Sequence, residues 1–503
     1  MAKGYLAIIL HAHLPYVRHP EHEDFLEERW FFEAITETYV PLLHAFQRLV
    51  RDGVQFRITL SLSPTLVAML RDPLLADRYA KHLDKSIELA WREVERTRHE
   101  PHFHRTACMY RDVFTATRET WRRYDGNIVR AFKEIQDTGN LELMTCAATH
   151  MFFPHGDRNW AAYRAQVRVA ADHHEAHIGV RPKGMWMGEC GYIRGVDELM
   201  REAGIRYTIV DTHALLFADR RPVYGVYAPI YCPTGVAAFG RDAESSKQVW
   251  SANEGYPGDT IYRDFYRDVG FDLPLDYIRP YIHPDGIRIH TGIKYYRITD
   301  RKSVHKEPYD PGAAFDRTAE HAGNFMFNRE RQVEFIAPKM DRPPIIVAPY
   351  DAELFGHWWY EGPQFLEFLF RKMQYDQAVV APITPSEYLA KHPTNQVTTP
   401  CTSSWGYKGY GEVWLDGSNH WLYRHLHKTA ERMVELARSN PDAQGLRRRA
   451  LNQAARELML AQSSDWAFIM KTGTAVDYAV RRHCDHVSRF NTIYDGIKGG
   501  ALN

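Results

Sequence analysis

The chain has 503 residues, enough for about three domains or one large barrel with insertions, and its 45% hydrophobic and 25% charged residues are the balance of a globular protein. Its 63 basic and 63 acidic side chains cancel, which argues against nucleic acid or an anionic membrane as a partner. Six cysteines lie far apart with no CxxC pair, against a disulfide framework or a structural zinc site.

Taken in chain order, the first element is the apolar run 6–10. His11 and His13 stop it well short of a membrane span of about 20 residues, and no small-residue cleavage site of a secretory signal follows. A cytoplasmic protein is expected. Similar runs of strand length recur at 58–62, 141–146, 185–187, 207–210 and 345–348, several followed by a helical pattern, and this alternation reads as βα units around a parallel sheet. Residues 64–137 are charged and helical in period, which suggests a helical insertion. Residues 241–309 are rich in Tyr, Gly, Asp and Pro with little periodicity, a long decorated loop region whose aromatics argue against disorder. Beyond Gly417 the pattern is helical again, with helices expected at 419–439, 444–461 and 474–496. The expected fold class is therefore α/β, with a catalytic barrel over 1–400, interrupted by the insertion at about 64–137, and a C-terminal helical domain over 401–503. A barrel is preferred to an open sheet because no GxGxxG or P-loop signature opens a βα turn.

Chemistry-bearing residues cluster just after the apolar runs: His11 and His13, His150, Glu189, Asp211 and His213, Asp351. The carboxyl ends of parallel strands are where such folds build their sites. His11 and His13 share one face of a strand by period-2 geometry. They are either two ligands of a metal completed elsewhere or hydrogen-bonding groups of a polar pocket. Glu189 lies between two glycines at the end of a short strand, and its bland reading is a helix cap. Asp351 follows another strand, and its bland reading is an N-cap. Two strand-end carboxylates flanked by aromatics are also what glycoside chemistry requires, one to protonate the leaving oxygen and one to attack the anomeric carbon or activate water. The 12 Trp, 29 Tyr and 24 Phe would supply flat faces for sugar rings.

The segments HAHLPYV, WMGECGY, VWSANEGYPGD, APYDAELFGHWWYEGP and SSDWAFIM together resemble glycoside hydrolase family 57, in the branch that holds 1,4-α-glucan branching enzymes and α-amylase-like relatives. The motifs span residues 11 to 470, and APYDAELFGHWWYEGP is specific by itself. The resemblance implies a distorted (β/α)7 barrel with a helical insertion and a helical C-terminal domain. It implies Glu189 as nucleophile and Asp351 as general acid/base of a retaining double displacement on an α-1,4-glucan, with the two carboxyl groups about 5–5.5 Å apart. A glucan 6-hydroxyl as acceptor gives an α-1,6 branch, and water gives hydrolysis. Arg241, Gly258, Trp405 and Asp465 match glucan-contacting positions, with Trp250, Trp414 and Trp30 as further stacking platforms. The resemblance implies that His11 and His13 line the sugar pocket without a metal, His150 is a further substrate-binding candidate, and no metal or other cofactor is expected. Trp405 and Trp414 could instead seal the barrel against the helical domain, and Asp465 could cap a helix at Trp466, although Ser463 and Ser464 could also do so.

Two departures from the family pattern stand out. Gly188 occupies the place usually held by Pro before the nucleophile, which is expected to loosen the backbone there. The loop between Tyr224 and Arg241 is short, so a Tyr that shields the intermediate in branching members is expected to reach less well, favouring water as acceptor. The ranked functions are branching transferase, then α-amylase-type hydrolase or 4-α-glucanotransferase on the same carboxylates. A glucan-binding protein without catalysis and a metal-dependent deacetylase or mannosidase using His11 and His13 are remote alternatives, the latter predicting loss of activity with chelators.

Overall fold

The computed structural model describes residues 2–156, 159–251, 254–300 and 302–500. The chain divides into two compact units, one of residues 1–60, 67–142 and 243–384, the other of residues 61–66, 143–242 and 385–503. No helix among the described residues is long and apolar enough to cross a membrane.

In the first unit β1 (Gly4–Ala12) is an almost uninterrupted apolar run, which suits a strand buried on both faces. The segments β2 (Ile58–Leu62) and β3 (Leu141–Cys146) each cross the division between the units. Further along the chain come β4 (Gly184–Trp186), β5 (Tyr207–Val210), β6 (Ile230–Tyr231) and β7 (Ala237–Gly240), all of the second unit, then β8 (Ile345–Asp351) and β9 (Val380–Pro382) of the first. β1 pairs in parallel with β8, in a register that sets His11 opposite Asp351, and in parallel with β9. Five of the six apolar runs read from the sequence are strands or parts of strands, and the sixth, 185–187, runs one residue past the end of β4. The short β6, β7 and β9 were not expected.

The charged stretch after β2 forms helices at Pro64–Leu70, Pro73–Arg96, Pro101–Arg123 and Ile128–Asp137. Their starts are written locally: Asp72 accepts from the Leu74 and Leu75 N–H groups, Asn127 accepts from Arg130 N–H, and Pro73 and Pro101 occupy first-turn positions where no N–H is needed. The aromatic-rich region after residue 241 is ordered by buried charges of the same unit. Glu93, fully buried, receives the hydroxyls of Tyr277 and Tyr295 at 2.8 Å each and the Arg96 guanidinium at 2.7 Å. Asp268, also fully buried, accepts from Thr291 N–H (2.9 Å), Thr291 Oγ1 (2.8 Å), Gly270 N–H (2.8 Å) and Gly292 N–H (3.0 Å), with Lys294 Nζ at 3.3 Å. A loop with such anchors needs no regular period.

In the second unit β3, β4, β5 and β7 run parallel in succession, and β6 lies antiparallel to β7. Its C-terminal part is helical, with helices at Trp421–Ser439, Gly445–Ala461, Ser464–Thr472 and Val476–Lys498. Ala430, Ala454, Leu458 and Phe490 are buried together in one cluster, and Leu436, Leu451 and Ile497 in another. Three helices were expected here. The fourth, Ser464–Thr472, is the SSDWAFIM segment, which ends at Gly473 in the left-handed conformation that glycine adopts without strain.

Candidate active site

The second unit holds Glu189 directly after β4. Four non-glycine residues among those described in this unit lie in the left-handed region, three of them near the turn: His150 (φ 58°), Glu189 (φ 60°) and Cys190 (φ 51°), with Lys408 (φ 63°) the fourth. Such a conformation is disfavoured for L-residues and persists only where the surroundings impose it, as functional sites often do. The turn is closed by Cys190 N–H donating to Met187 O (3.0 Å) and Gly191 N–H to Gly188 O (2.9 Å). A Cβ on Gly188 would lie 2.6 Å from Met151 O and 2.8 Å from His150 O. The expectation that Gly188 loosens this turn is therefore corrected: the glycine admits a close backbone approach, and that approach restrains the chain.

The helix that follows Glu189, Val196–Glu202, has Gly195 as its N-cap and no side-chain cap, so the helix-cap reading of Glu189 does not hold there. Trp405 Nε1–H donates to Oε2 at 2.8 Å, and Ser464 Oγ–H donates to Oε1 at 3.1 Å. His150 Nδ1 stands 2.7 Å from Ser464 Oγ and 3.8 Å from Glu189 Oε1. The backbones are tied as well, Trp405 N–H to Glu189 O (3.0 Å) and Ser464 N–H to His150 O (3.1 Å). Hydrogen bonds to a carboxylate favour its charged form and fix its orientation. Trp405 is thus a direct partner of Glu189, with its ring edge-on to Trp186 at 4.9 Å. The Arg241 guanidinium lies over the Trp405 ring at 5.6 Å and 3.2 Å from Asp211 Oδ2. Burial alone would raise the Asp211 carboxyl, but His213, Arg241 and the Thr212 N–H outweigh it and hold it below its ordinary value. Asp465 sits in the first turn of its helix, where a negative charge is favourable, and accepts from Ser463 Oγ. Trp414 is buried, stacked on Phe152 at 4.5 Å, so here it packs inside the unit.

The first unit holds Asp351 at the end of β8. Its side chain makes no capping hydrogen bond to the short turn that follows, so the N-cap reading does not apply. His11 is buried and His13 half-buried, their rings nearly parallel with centroids 5.9 Å apart, as period-2 geometry required. Glu353, two residues past Asp351, accepts from His13 N–H at 3.2 Å. Trp30 is half-buried in the helix Glu28–Ala34, Trp250 is 53% exposed at the end of the helix Ala243–Trp250, and Gly258 closes a short helical turn. In the VWSANEGYPGD motif Ala252 and Asn253 lie outside the described residues.

The second unit therefore gathers Glu189, His150, Trp405, Arg241, Trp414 and Asp465, and the first gathers Asp351, His11, His13, Trp30, Trp250 and Gly258. Ser464 and Glu353 were missed as functional candidates. Each stands within two residues of a named one, Asp465 and Asp351, and that adjacency was the signal available.

Residues 7–400 match the sequence model of glycosyl hydrolase family 57, and residues 425–503 that of the 1,4-alpha-glucan branching enzyme C-terminal region. A 1,4-alpha-glucan branching enzyme of Thermococcus kodakarensis is 32% identical over 98% of this chain and 73% of its own. The crystal structure of the alpha-amylase AmyC from Thermotoga maritima shares 47% identity at a TM-score of 0.93, covering 99% of this chain and 94% of that one. The GH57-type branching enzyme from Pyrococcus horikoshii shares 30% identity at a TM-score of 0.88, covering 100% and 92%. The expected fold class is borne out by these matches: α/β, a distorted (β/α)7 barrel with a helical C-terminal region.

Proposed function

The chain belongs to glycosyl hydrolase family 57, and we propose that it is a retaining 1,4-α-glucan branching enzyme with Glu189 as nucleophile and Asp351 as general acid/base. The observation that carries the chemistry is the Glu189 carboxylate, aimed by Trp405 Nε1–H on one oxygen and Ser464 Oγ–H on the other in a left-handed turn. The choice of branching rests on the branching-enzyme C-terminal match and the full-length branching relatives.

In the first step Glu189 attacks C1 of an α-1,4-linked glucosyl unit as the C1–O4 bond breaks, and Asp351 gives its proton to the departing O4. In the second, the 6-hydroxyl of an acceptor glucan gives its proton to Asp351 while O6 displaces the Glu189 carboxylate from C1. Two inversions leave the α configuration intact, now in an α-1,6 bond. Trp405, Arg241, Asp465, Trp30, Trp250, Gly258, His11, His13 and His150 are assigned to glucan binding in this reading; the expected platform Trp414, 1% exposed and stacked on Phe152, is corrected to a packing role. Trp405 has the strongest support because it also touches the nucleophile.

Hydrolysis is the second reading, favoured by two observations. The α-amylase AmyC is the more similar of the two solved relatives described, and only 16 residues separate Tyr224 from Arg241, six of them in β6 and β7, a short stretch to carry Tyr224 over an intermediate. Product analysis on amylose separates the two. Branching is expected to shift the iodine spectrum and create α-1,6 linkages with few new reducing ends. Reducing ends rising without α-1,6 linkages would leave a hydrolase. Glu189→Gln is expected to abolish both, and a variant retaining full turnover would overturn the catalytic assignment.

A further inference from the structure

The helix that begins at Glu28 does not run uniformly into the one that ends at Arg51. Between them Ile35–Tyr39 is a single π-helical turn of sequence Ile-Thr-Glu-Thr-Tyr. Such turns are rare and concentrate at functional sites. Here three consecutive residues of the turn bond to one neighbouring segment. Tyr39 Oη donates to Glu353 Oε1 at 2.5 Å, Thr38 Oγ1 accepts from His357 N–H at 3.2 Å, and Glu37 Oε2 pairs with His357 Nδ1 at 2.7 Å.

All three partners belong to the six residues after Asp351. Backbone meets backbone at the same place. Gly356 has φ 118°, and a Cβ there would fall 1.8 Å from the Glu37 carbonyl oxygen, so no side chain could replace it without moving one segment. Glu353 also accepts from His13 N–H at 3.2 Å, and in the β1–β8 register His11 is opposite Asp351. One carboxyl thus joins the end of β1, the loop leaving β8 and the π turn.

We propose that Tyr39 is a positioning residue for Asp351, acting through Glu353: the π turn sets the stance of the strand end from which Asp351 projects. This rests on the reading of Asp351 as general acid/base. Burial pushes the Glu353 carboxyl up to about 7 against the pull of Tyr39 and His13, and burial with Glu353 beside it pushes Tyr39 well above its ordinary value, so the phenol stays a donor.

The test uses leaving groups of different need for a proton. Misaim of an acid by a fraction of an ångström to one ångström costs up to about 100-fold, but only where protonation is required. Tyr39→Phe keeps the ring and removes the hydroxyl. Its kcat/KM on a maltooligosaccharide is expected to fall about 10- to 100-fold, while kcat/KM for α-maltosyl fluoride, whose fluoride departs without an acid, falls far less. Glu353→Gln, which keeps an oxygen for Tyr39 and His13, is expected to retain more activity than Glu353→Ala with the same substrate dependence. Equal loss on both substrates, or no loss on either, would overturn the proposal. Asp351→Asn in the same assay tests the underlying reading separately: it should lose far more on glucan than on the fluoride, and undiminished glucan turnover there would sink the acid/base assignment whatever Tyr39 does.

Discussion

Trp405 shows how much one side chain can carry. Its indole N–H reaches Glu189 Oε2, its backbone N–H reaches Glu189 O, and its ring lies under the Arg241 guanidinium. A hydrogen bond to a charged group is worth about 1.5–3 kcal/mol, or roughly 10- to 100-fold in rate if it aims the nucleophile. Trp405→Phe keeps a ring and deletes that donor, so kcat on amylose is expected to fall by that factor with KM changed much less. Trp405→Ala should add a rise in KM. Steady-state kinetics decide, and a Phe variant with wild-type kcat would make the contact incidental. Trp405 was legible from the sequence as a platform, but its bond to the nucleophile was not, because the partner is 216 residues away. Ser464 was read only as a possible helix cap, for the same reason, its bond being to a residue 275 positions away, compounded by the ordinariness of serine.

At the scale of elements, legibility followed physics. β1 and β8 could be read because strands buried on both faces are written as apolar runs. β6, of two residues, and β9, of three with a proline, are too short to carry a period. The π turn Ile35–Tyr39 lies inside a sequence that reads as ordinary helix, and only the loop packed on it distinguishes it. The loop around Asp268 gave no period because a buried charge organises it. Burial would raise that carboxyl, yet Lys294, then His290 and the N–H groups of Thr291 and Gly270, outweigh burial and hold it far below its ordinary value. Its folded value lies under the unfolded one of about 3.9, so the stability it confers is complete above that pH and drains away as pH falls toward the folded value. Asp268→Asn strands Lys294 and is expected to cost about 3–5 kcal/mol near neutrality. In urea titrations of both proteins the gap should stay full above about pH 4 and narrow steadily as the pH falls below it, and a gap independent of pH would refute the charge argument.

For the molecule as a whole, the α/β class, the helical stretch after β2 and the helical C-terminal part were open to sequence reasoning because each has its own period and punctuation. The division into two compact units was not. It cuts through β2 and β3 and gathers segments from three parts of the chain on each side, and no local pattern announces which distant segments will pack together. The candidate residues named from the sequence fall in both units, since strand ends supply them and strands belong to both. What the residues themselves offered was the chemical type at each strand end, which pointed to glycoside chemistry; the assignment of roles came from the resemblance to the family.

The left-handed backbone at residue 189 also bears on engineering. Only glycine adopts it freely, yet the proposed chemistry demands a carboxylate there, so durability and turnover are opposed at one position. Two inactive variants expose the conflict: Glu189→Gly and Glu189→Ala both lose the acid, but only the first relieves the dihedral, and it should melt later by up to about 1 kcal/mol of added stability. If alanine proves equally robust in calorimetry, the conformation costs nothing; otherwise the difference measures what selection has tolerated to keep the enzyme working.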